Sequence, residues 1–194
     1  GDYGTITSLK IMQGDKVVFE DYFNGATANA LHNTRSVTKT VTSMAVGLAV
    51  ADQKLALNTP VAQLFEDLAP FQNPDPRKMK ITVEDLLTMS GPLECDDWNN
   101  HSRGNEERMY VVENWSKFFL DLPIRDYPSW AQKPSDTKYG RAFAYCTAGV
   151  QLLGQAVERA TGISFAKYVE DRIFKPIGLT KFKWPRSAKG QLHM

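Results

Sequence analysis

The stretch that decides the fold is TRSVTKTVTSMAVGLAVA, residues 34–51. Its apolar residues recur at helical spacing, which predicts one buried face of an amphipathic helix: they are Val37, Val41, Met44, Ala45, Leu48 and Ala49. Thr34 is a candidate N-cap, which would place Ser36 in the first helical turn. Residues three positions apart on a helix are neighbours, so we expect the side chains of Ser36 and Lys39 to touch.

This serine and lysine have the chemistry of a nucleophile and its base. A serine hydroxyl is a weak nucleophile until a base takes its proton, and a lysine accepts it when burial or a nearby positive charge lowers its pKa from about 10.4. The S-x-x-K spacing also occurs at residues 135–138, in a turn-rich loop, and at 164–167. Only the Ser36 copy opens a long apolar helix. Taken alone, the pair is equally well explained as a capping serine and a surface lysine.

Composition narrows the class of protein. The 194 residues suffice for one domain or slightly more, and a hydrophobic content of 42% is enough for a core. The net charge of +1 favours neither nucleic acid nor an anionic membrane as a partner. No apolar run reaches the roughly 18 residues that a membrane span needs. We therefore expect neither a nucleic-acid partner nor a membrane span.

The N-terminal residues have the pattern of a β-hairpin. Two short β-prone runs, residues 5–12 and 16–23, flank Gln13-Gly14-Asp15, and a Gly-Asp pair between such runs is a turn signal. A polar connector that contains His32 leads to the Ser36 helix. Four residues across a helix start do not aim an imidazole at the hydroxyl, so we interpret His32 as a structural loop residue.

Several later segments have helix signals. Thr82 and Asp85 form a candidate capping box ahead of a short helix, and the apolar stripe over residues 106–120 predicts a helix that faces the core. A second long helix follows Tyr145 and ends at Thr161-Gly162, since glycine is common just past a helix C-terminus. A further helix is predicted over residues 164–174, with Ser164 as its N-cap. The segment between 121 and 141 is irregular and rich in proline and aromatic residues.

The polar loop from Glu94 to Glu107 contains acidic residues with Cys95 and His101. One cysteine and one histidine are too few ligands and fit no zinc spacing, so we expect no metal ion. The second cysteine, Cys146, adjoins Tyr145. The two cysteines are either a disulfide, which would suit an exported protein, or two buried thiols.

Tyr145 stands where an irregular segment meets the second long helix, a place where side chains can point into a cleft. A tyrosine near a lysine ammonium loses its proton more readily and can serve as a general acid or base. A tyrosine packed at a helix start is the simpler interpretation when Tyr145 is considered alone.

Three stretches together resemble the serine β-lactamase and penicillin-binding-protein superfamily, whose nucleophile motif is S-x-x-K: residues 36–39, 81–91 and 145–154. The resemblance runs from about Thr5 to Leu179 and is closest to the class C β-lactamase-like branch of esterases, D-amino-acid peptidases and oligoamide hydrolases. It implies that Ser36 is the acylated nucleophile, Lys39 its proton acceptor and Tyr145 the proton shuttle to the leaving group.

Two departures accompany the resemblance. The family's second motif is typically Tyr-x-Asn, and here Thr147 stands in the third place, where we expect a substrate-binding residue. The third motif, Lys-Thr-Gly or His-x-Gly on a strand beside the serine, does not occur in residues 1–194. That strand supplies one oxyanion-hole N–H in the family. The sequence therefore looks like the N-terminal part of a longer protein, with a C-terminal polypeptide completing the fold.

We predict an α+β, β-lactamase-like fold with an antiparallel sheet flanked by helices. Residues 1–54 and 144–194 would form the α/β part with the hairpin and the catalytic helices, and residues 55–143 an inserted helical region. The implied function is a serine hydrolase of small-molecule esters or amides, β-lactams among the candidates, without a cofactor and in the periplasm or secreted. The alternative is a penicillin-recognising or ligand-binding relative that has lost turnover. A cytoplasmic location and the oligomeric state stay open.

Overall fold

A computed structural model describes residues 6–125, 143–187 and 190–194. The chain divides into two compact units, Gly1–Thr34 and Arg35–Met194. This boundary differs from the sequence-based ones at 54/55 and 143/144, and the division into an α/β part and a helical region stays a prediction. The predicted irregular segment beyond residue 125 and the S-x-x-K match at 135–138 lie outside the described residues.

The first unit contains the predicted hairpin. Strand β1, Ser8–Gln13, pairs antiparallel with β2, Lys16–Tyr22, across a turn in which Gly14 has a φ of +60°. The register shifts between Ile11 and Met12, which marks a bulge. Large apolar side chains stay exposed on both strands: Leu9, Ile11, Met12, Val17, Val18 and Phe19. A two-stranded sheet of this kind is marginal by itself.

The second unit is helical in the part of the chain that the structure describes. Its α-helices are α1 (Thr38–Ala51), α2 (Val83–Leu87), α3 (Glu106–Tyr110), α4 (Trp115–Asp121), α5 (Thr147–Thr161) and α6 (Phe165–Val169). Short 3₁₀ segments lie at Arg35–Val37, Val61–Leu68, Lys78–Lys80 and Lys175–Ile177, and a π-helical turn follows α6 at Glu170–Phe174. None of the described helices has the length and apolarity needed to cross a bilayer.

Helix α5 is the centre of this unit. It packs against α1, α2 and α4, and nearly all of its residues from Thr147 to Val157 are buried. The buried Gln151 on α5 accepts a hydrogen bond from the Met194 N–H at 3.0 Å and donates its side-chain amide to the Leu192 carbonyl. The last residues of the chain are therefore fixed against the same helix that Tyr145 precedes.

The start of α1 differs from the prediction. The helix begins at Thr38, Val37 occupies the N-cap position without a side-chain cap, and Ser36 lies in the preceding 3₁₀ turn. The assignment of Thr34 as N-cap is wrong, because Arg35 has a φ of +45° and turns the chain between Thr34 and the helix. The predicted spacing of Ser36 and Lys39 survives this change.

Some of the other predicted helix boundaries agree with the structure, and one predicted helix does not. The Thr82–Asp85 capping box is present, and Gly162 ends α5 with a φ of +71°. The single helix predicted over 106–120 is wrong: there are two helices, because Asn114 caps a new one by accepting a hydrogen bond from the Lys117 N–H at 2.9 Å. The helix predicted over 164–174 is confirmed: Ser164 holds the N-cap position of α6 without a cap hydrogen bond, and a π-helical turn continues the helix from Glu170 to Phe174.

Candidate active site

Ser36 and Lys39 are in contact. The Lys39 ammonium Nζ donates a hydrogen bond to Ser36 Oγ over 3.2 Å, as the three-residue spacing predicts. Ser36 is exposed in its 3₁₀ turn, and Lys39 is half-buried in the first turn of α1. The geometry thus combines an accessible hydroxyl with an amine within hydrogen-bond reach, the relation that a nucleophile and its base require.

Tyr145 lies beside the same amine. Lys39 Nζ is 5.3 Å from the centre of the Tyr145 ring, within the range of a cation–π contact. Tyr145 comes two residues before α5, so the packing of α5 on α1 brings two segments more than 100 residues apart to one place. The three residues proposed from sequence as nucleophile, base and proton shuttle therefore meet around Lys39.

Asp97 holds the segment that contains Tyr145 through hydrogen bonds. Its backbone N–H donates to the Tyr145 carbonyl at 2.8 Å, and its carboxylate accepts from the Thr147 N–H at 2.7 Å and the Glu106 N–H at 2.9 Å. Burial raises the pKa of the Asp97 carboxyl, and hydrogen bonds from Thr147 act in the opposite direction. No local sequence pattern points to Asp97, since its partners lie up to 50 positions away.

A disulfide joins the two loops that meet here. Cys95 and Cys146 are bonded, with their Cα atoms 5.3 Å apart, which decides between the two alternatives that the sequence left open. The Cys146 sulfur also accepts a hydrogen bond from the Gly149 N–H at 3.2 Å and so caps the start of α5. The bond ties the loop of Asp97 directly to the residue that follows Tyr145.

Thr147 is buried, whereas Tyr145 is partly exposed. Thr147 is the first residue of α5, only 1% of the residue is exposed, and its N–H donates a hydrogen bond to the Asp97 carboxylate. Its substrate-binding role stays a prediction, and a buried position does not favour it. His32, predicted as a structural loop residue, is exposed in the first unit.

A second polar cluster, not found from sequence, involves the end of the chain. The Tyr110 hydroxyl lies 2.7 Å from Glu106 and 2.7 Å from His193 Nε2. A carboxylate only accepts, so the hydroxyl proton goes to Glu106 and His193 Nε2 donates to the Tyr110 oxygen. Burial and the Lys39 charge lower the pKa of His193, and Glu106 partly offsets them. Burial raises the pKa of Tyr110. The charge of Lys39 therefore acts on His193 as well as on the groups of the candidate site.

Comparison with known proteins identifies the family of the chain. A profile of the family described as Beta-lactamase matches residues 7–193. The chain belongs to this beta-lactamase family.

Among the residues that the structure describes, no group of three or more His, Cys, Asp or Glu side chains could hold a metal ion.

Two proteins with sequences similar to this chain have different names. The chain is 31% identical over 161 residues to "Probable fimbrial assembly protein FimD, serogroup H1" of Dichelobacter nodosus, covering 79% of this chain and 36% of that protein. It is 29% identical over 154 residues to esterase EstB of Burkholderia gladioli, covering 78% and 38%. The chain thus spans little more than a third of these relatives' length.

A solved structure shares the fold of this chain. The octameric penicillin-binding protein homologue from Pyrococcus abyssi superposes with a TM-score of 0.62 at 20% identity, covering 95% of this chain and 45% of that one. Together with the family match, this confirms the predicted β-lactamase-like fold, which mixes helices with a small sheet.

Proposed function

We propose that this protein is a serine hydrolase that cleaves esters or amides through an acyl-serine intermediate. The observation that carries the proposal is the 3.2 Å contact between Lys39 Nζ and Ser36 Oγ, with the Tyr145 ring beside the same amine. Membership of the beta-lactamase family and the esterase among its relatives support it.

In the proposed reaction Lys39 moves a proton in both halves, and Tyr145 acts where the leaving group departs. Lys39, as the neutral amine, takes the proton of Ser36 while Oγ attacks the carbonyl carbon, and a tetrahedral oxyanion forms. Tyr145 passes a proton to the leaving alcohol or amine as its bond to the acyl carbon breaks. Lys39 then passes the proton that it took from Ser36 to Tyr145, so both groups regain their starting states. In the second half water attacks the acyl carbon and gives a proton to Lys39, the bond between that carbon and Ser36 Oγ breaks, the acid leaves, and Lys39 returns the proton to Ser36. β-Lactams are one amide class to test.

The proposal includes a partner polypeptide. In the part of the chain that the structure describes, the hairpin forms a sheet of two strands, whose outer edges have no neighbouring strand and would pair with further strands that complete the sheet. A C-terminal polypeptide that carries Lys-Thr-Gly or His-x-Gly would supply such strands and the second oxyanion donor, and loss of one donor costs about 100- to 1000-fold in rate. Activity should therefore be measured on the full-length protein.

The disulfide supports a location outside the reducing cytoplasm. Cys95 and Cys146 are bonded, and such bonds persist mainly in oxidising compartments. We accordingly propose that the protein works in the periplasm or is secreted. Comparing the free-thiol content of protein isolated from the cell envelope and from culture medium tests this proposal.

Hydrolysis of a simple nitrophenyl ester by the full-length protein tests the reaction. Ser36→Ala should lower kcat/KM by at least about 1000-fold, since the nucleophile is lost. The matched control is Ser164→Ala, which removes the serine of the other described S-x-x-K match and should leave the rate unchanged. Equal rates for wild type and Ser36→Ala would contradict the proposal.

A second candidate is a penicillin-recognising or ligand-binding relative without turnover. The buried Thr147, standing where the family typically has an asparagine, favours it, because the side chain does not offer a substrate an amide. Such a protein would form an acyl adduct or bind ligand and release no product. A stoichiometric burst without steady turnover of the nitrophenyl ester would support this second candidate.

A further inference from the structure

An exposed aromatic surface adjoins the proposed site. Trp98 is 75% exposed, and its indole stacks on the Tyr145 ring with centroids 5.5 Å apart and planes 12° apart. Phe143, which is 56% exposed, lies 6.0 Å from the indole. Trp98, Phe143 and Tyr145 thus form one surface, here called the aromatic shelf, which begins at the ring beside Lys39.

The loop that carries Trp98 is built to hold it. The Trp98 N–H donates to Asp96 Oδ1 at 3.0 Å, and the Asp96 N–H donates to the buried Ser102 hydroxyl at 3.1 Å. The buried Asn105 side chain donates to the Asp97 carbonyl at 3.0 Å, and Cys95 begins the loop with the disulfide. The backbone at Trp98 is therefore fixed and its ring is held against Tyr145, so little conformational entropy is lost when a ligand stacks on the exposed ring.

The position of the aromatic shelf relative to the reacting groups suggests which part of a substrate it contacts. Trp98 stacks on Tyr145, and in the proposed reaction Tyr145 hands a proton to the leaving group. A group stacked on Trp98 therefore lies on the leaving-group side of the scissile bond. Flat rings stack on one another with a preference beyond burial of apolar area.

We propose that Trp98 is a specificity-determining residue that selects esters and amides with an aromatic ring in the leaving group. The proposal rests on the proposed function, because it uses the role of Tyr145 in the reaction. Trp98 takes no part in proton transfer, and its contact sets the relative kcat/KM of substrates.

The test compares two acetate esters on the full-length protein, benzyl acetate and cyclohexylmethyl acetate, which differ in the aromaticity of the leaving group. Trp98→Leu keeps an apolar side chain without a ring and should lower kcat/KM for benzyl acetate by about 3- to 10-fold, with cyclohexylmethyl acetate changed by less than about 2-fold. Trp98→Phe keeps a ring and should retain the preference. Because Trp98 is exposed, both variants should fold, and their melting temperatures check this.

A matched pair with the ring on the acyl side completes the design. Methyl phenylacetate and methyl cyclohexylacetate should respond equally to Trp98→Leu. Equal losses on both acetate esters, or a selective loss on methyl phenylacetate, would overturn the proposal. Ser36→Ala distinguishes failure of the proposed function from failure of the role of Trp98. If Ser36→Ala leaves benzyl acetate hydrolysis intact, the proposed function is wrong. If Ser36→Ala abolishes hydrolysis and Trp98→Leu is unselective, only the role of Trp98 is wrong.

Discussion

At the scale of single residues, the account depends on what Lys39 and Tyr145 do with protons. Lys39 contacts both Ser36 and the Tyr145 ring, so it is placed to receive the serine proton at the start of the reaction. Tyr145 is then needed only where the leaving group must be protonated. This division of labour gives a prediction that distinguishes a proton donor from a packing residue.

Tyr145→Phe should affect substrates according to their leaving group. For an alkyl ester, whose alkoxide is a poor leaving group, we expect a loss in kcat/KM of about 100-fold or more, the usual contribution of a general acid. For a nitrophenyl ester, whose phenolate leaves without help, the loss should be much smaller. Steady-state kinetics with both esters measure the difference. Equal losses on the two esters would assign Tyr145 a structural role.

His193 gives a pH-dependent stability with a defined sign. Burial and Lys39 lower its pKa below the ordinary value of 6.5, so in the window between the two pKa values the unfolded chain binds more protons than the folded one. The free energy of unfolding should therefore fall as pH drops through 6.5 towards the lowered pKa. His193 contributes nothing to the pH dependence well above 6.5.

The variant His193→Gln tests this sign. Glutamine can still donate to Tyr110 but does not titrate, so the variant should lose part of the decline in stability between pH 7 and 5, as measured by urea unfolding. His101→Gln, in an exposed loop, is the control for removing a histidine. An unchanged acid slope in His193→Gln would refute the prediction.

At the scale of elements, the loop from Cys95 to Asn105 determines where Tyr145 stands. The disulfide closes a sequence separation of 51 residues, and loop-closure entropy gives such a bond a stabilisation of about 4 kcal/mol. The Cys95→Ser, Cys146→Ser double variant should therefore unfold at lower urea concentration and lose activity. Equal stability with and without the bond would show that the hydrogen bonds of Asp97 suffice.

Gly104 tests the same loop with both cysteines left in place. A Cβ at this position would lie 2.4 Å from the Glu94 carbonyl oxygen and 2.8 Å from Cys95 Cα, and both are backbone atoms that cannot move aside cheaply. Gly104→Ala should cost about 1–3 kcal/mol, as overpacking does. At Gly91 the added Cβ would meet only Leu86 Cδ2 at 3.7 Å, so Gly91→Ala is the control and should be much milder. Urea unfolding measures both.

At the scale of the whole molecule, the features that could be predicted from sequence are those set by residues close together in the chain. The contact of Ser36 with Lys39, the hairpin, the Thr82 capping box and the end of α5 follow from patterns within a few residues. Tyr145 was identified through its resemblance to a family motif, since nothing near it in sequence points to Lys39.

The site features that sequence analysis missed depend on contacts between distant segments. Asp97 binds Thr147 across 50 positions, and Tyr110 meets His193 across 83. No local period encodes such pairs, because the packing of α5 against its neighbours creates them. The incorrect N-cap at Thr34 has another cause: the positive φ of Arg35 is unusual for a side chain other than glycine.

The most direct measurement of the central claim maps a fluorophosphonate adduct on the full-length protein by intact mass and peptide mass spectrometry. The account predicts one adduct, on Ser36, and a labelling rate about 100-fold or more lower in Lys39→Ala, because the serine then lacks its base. Lys167→Ala, in the other described S-x-x-K match, should label at the wild-type rate. A folded protein that carries the adduct on another residue, or labels equally fast without Lys39, would contradict the account.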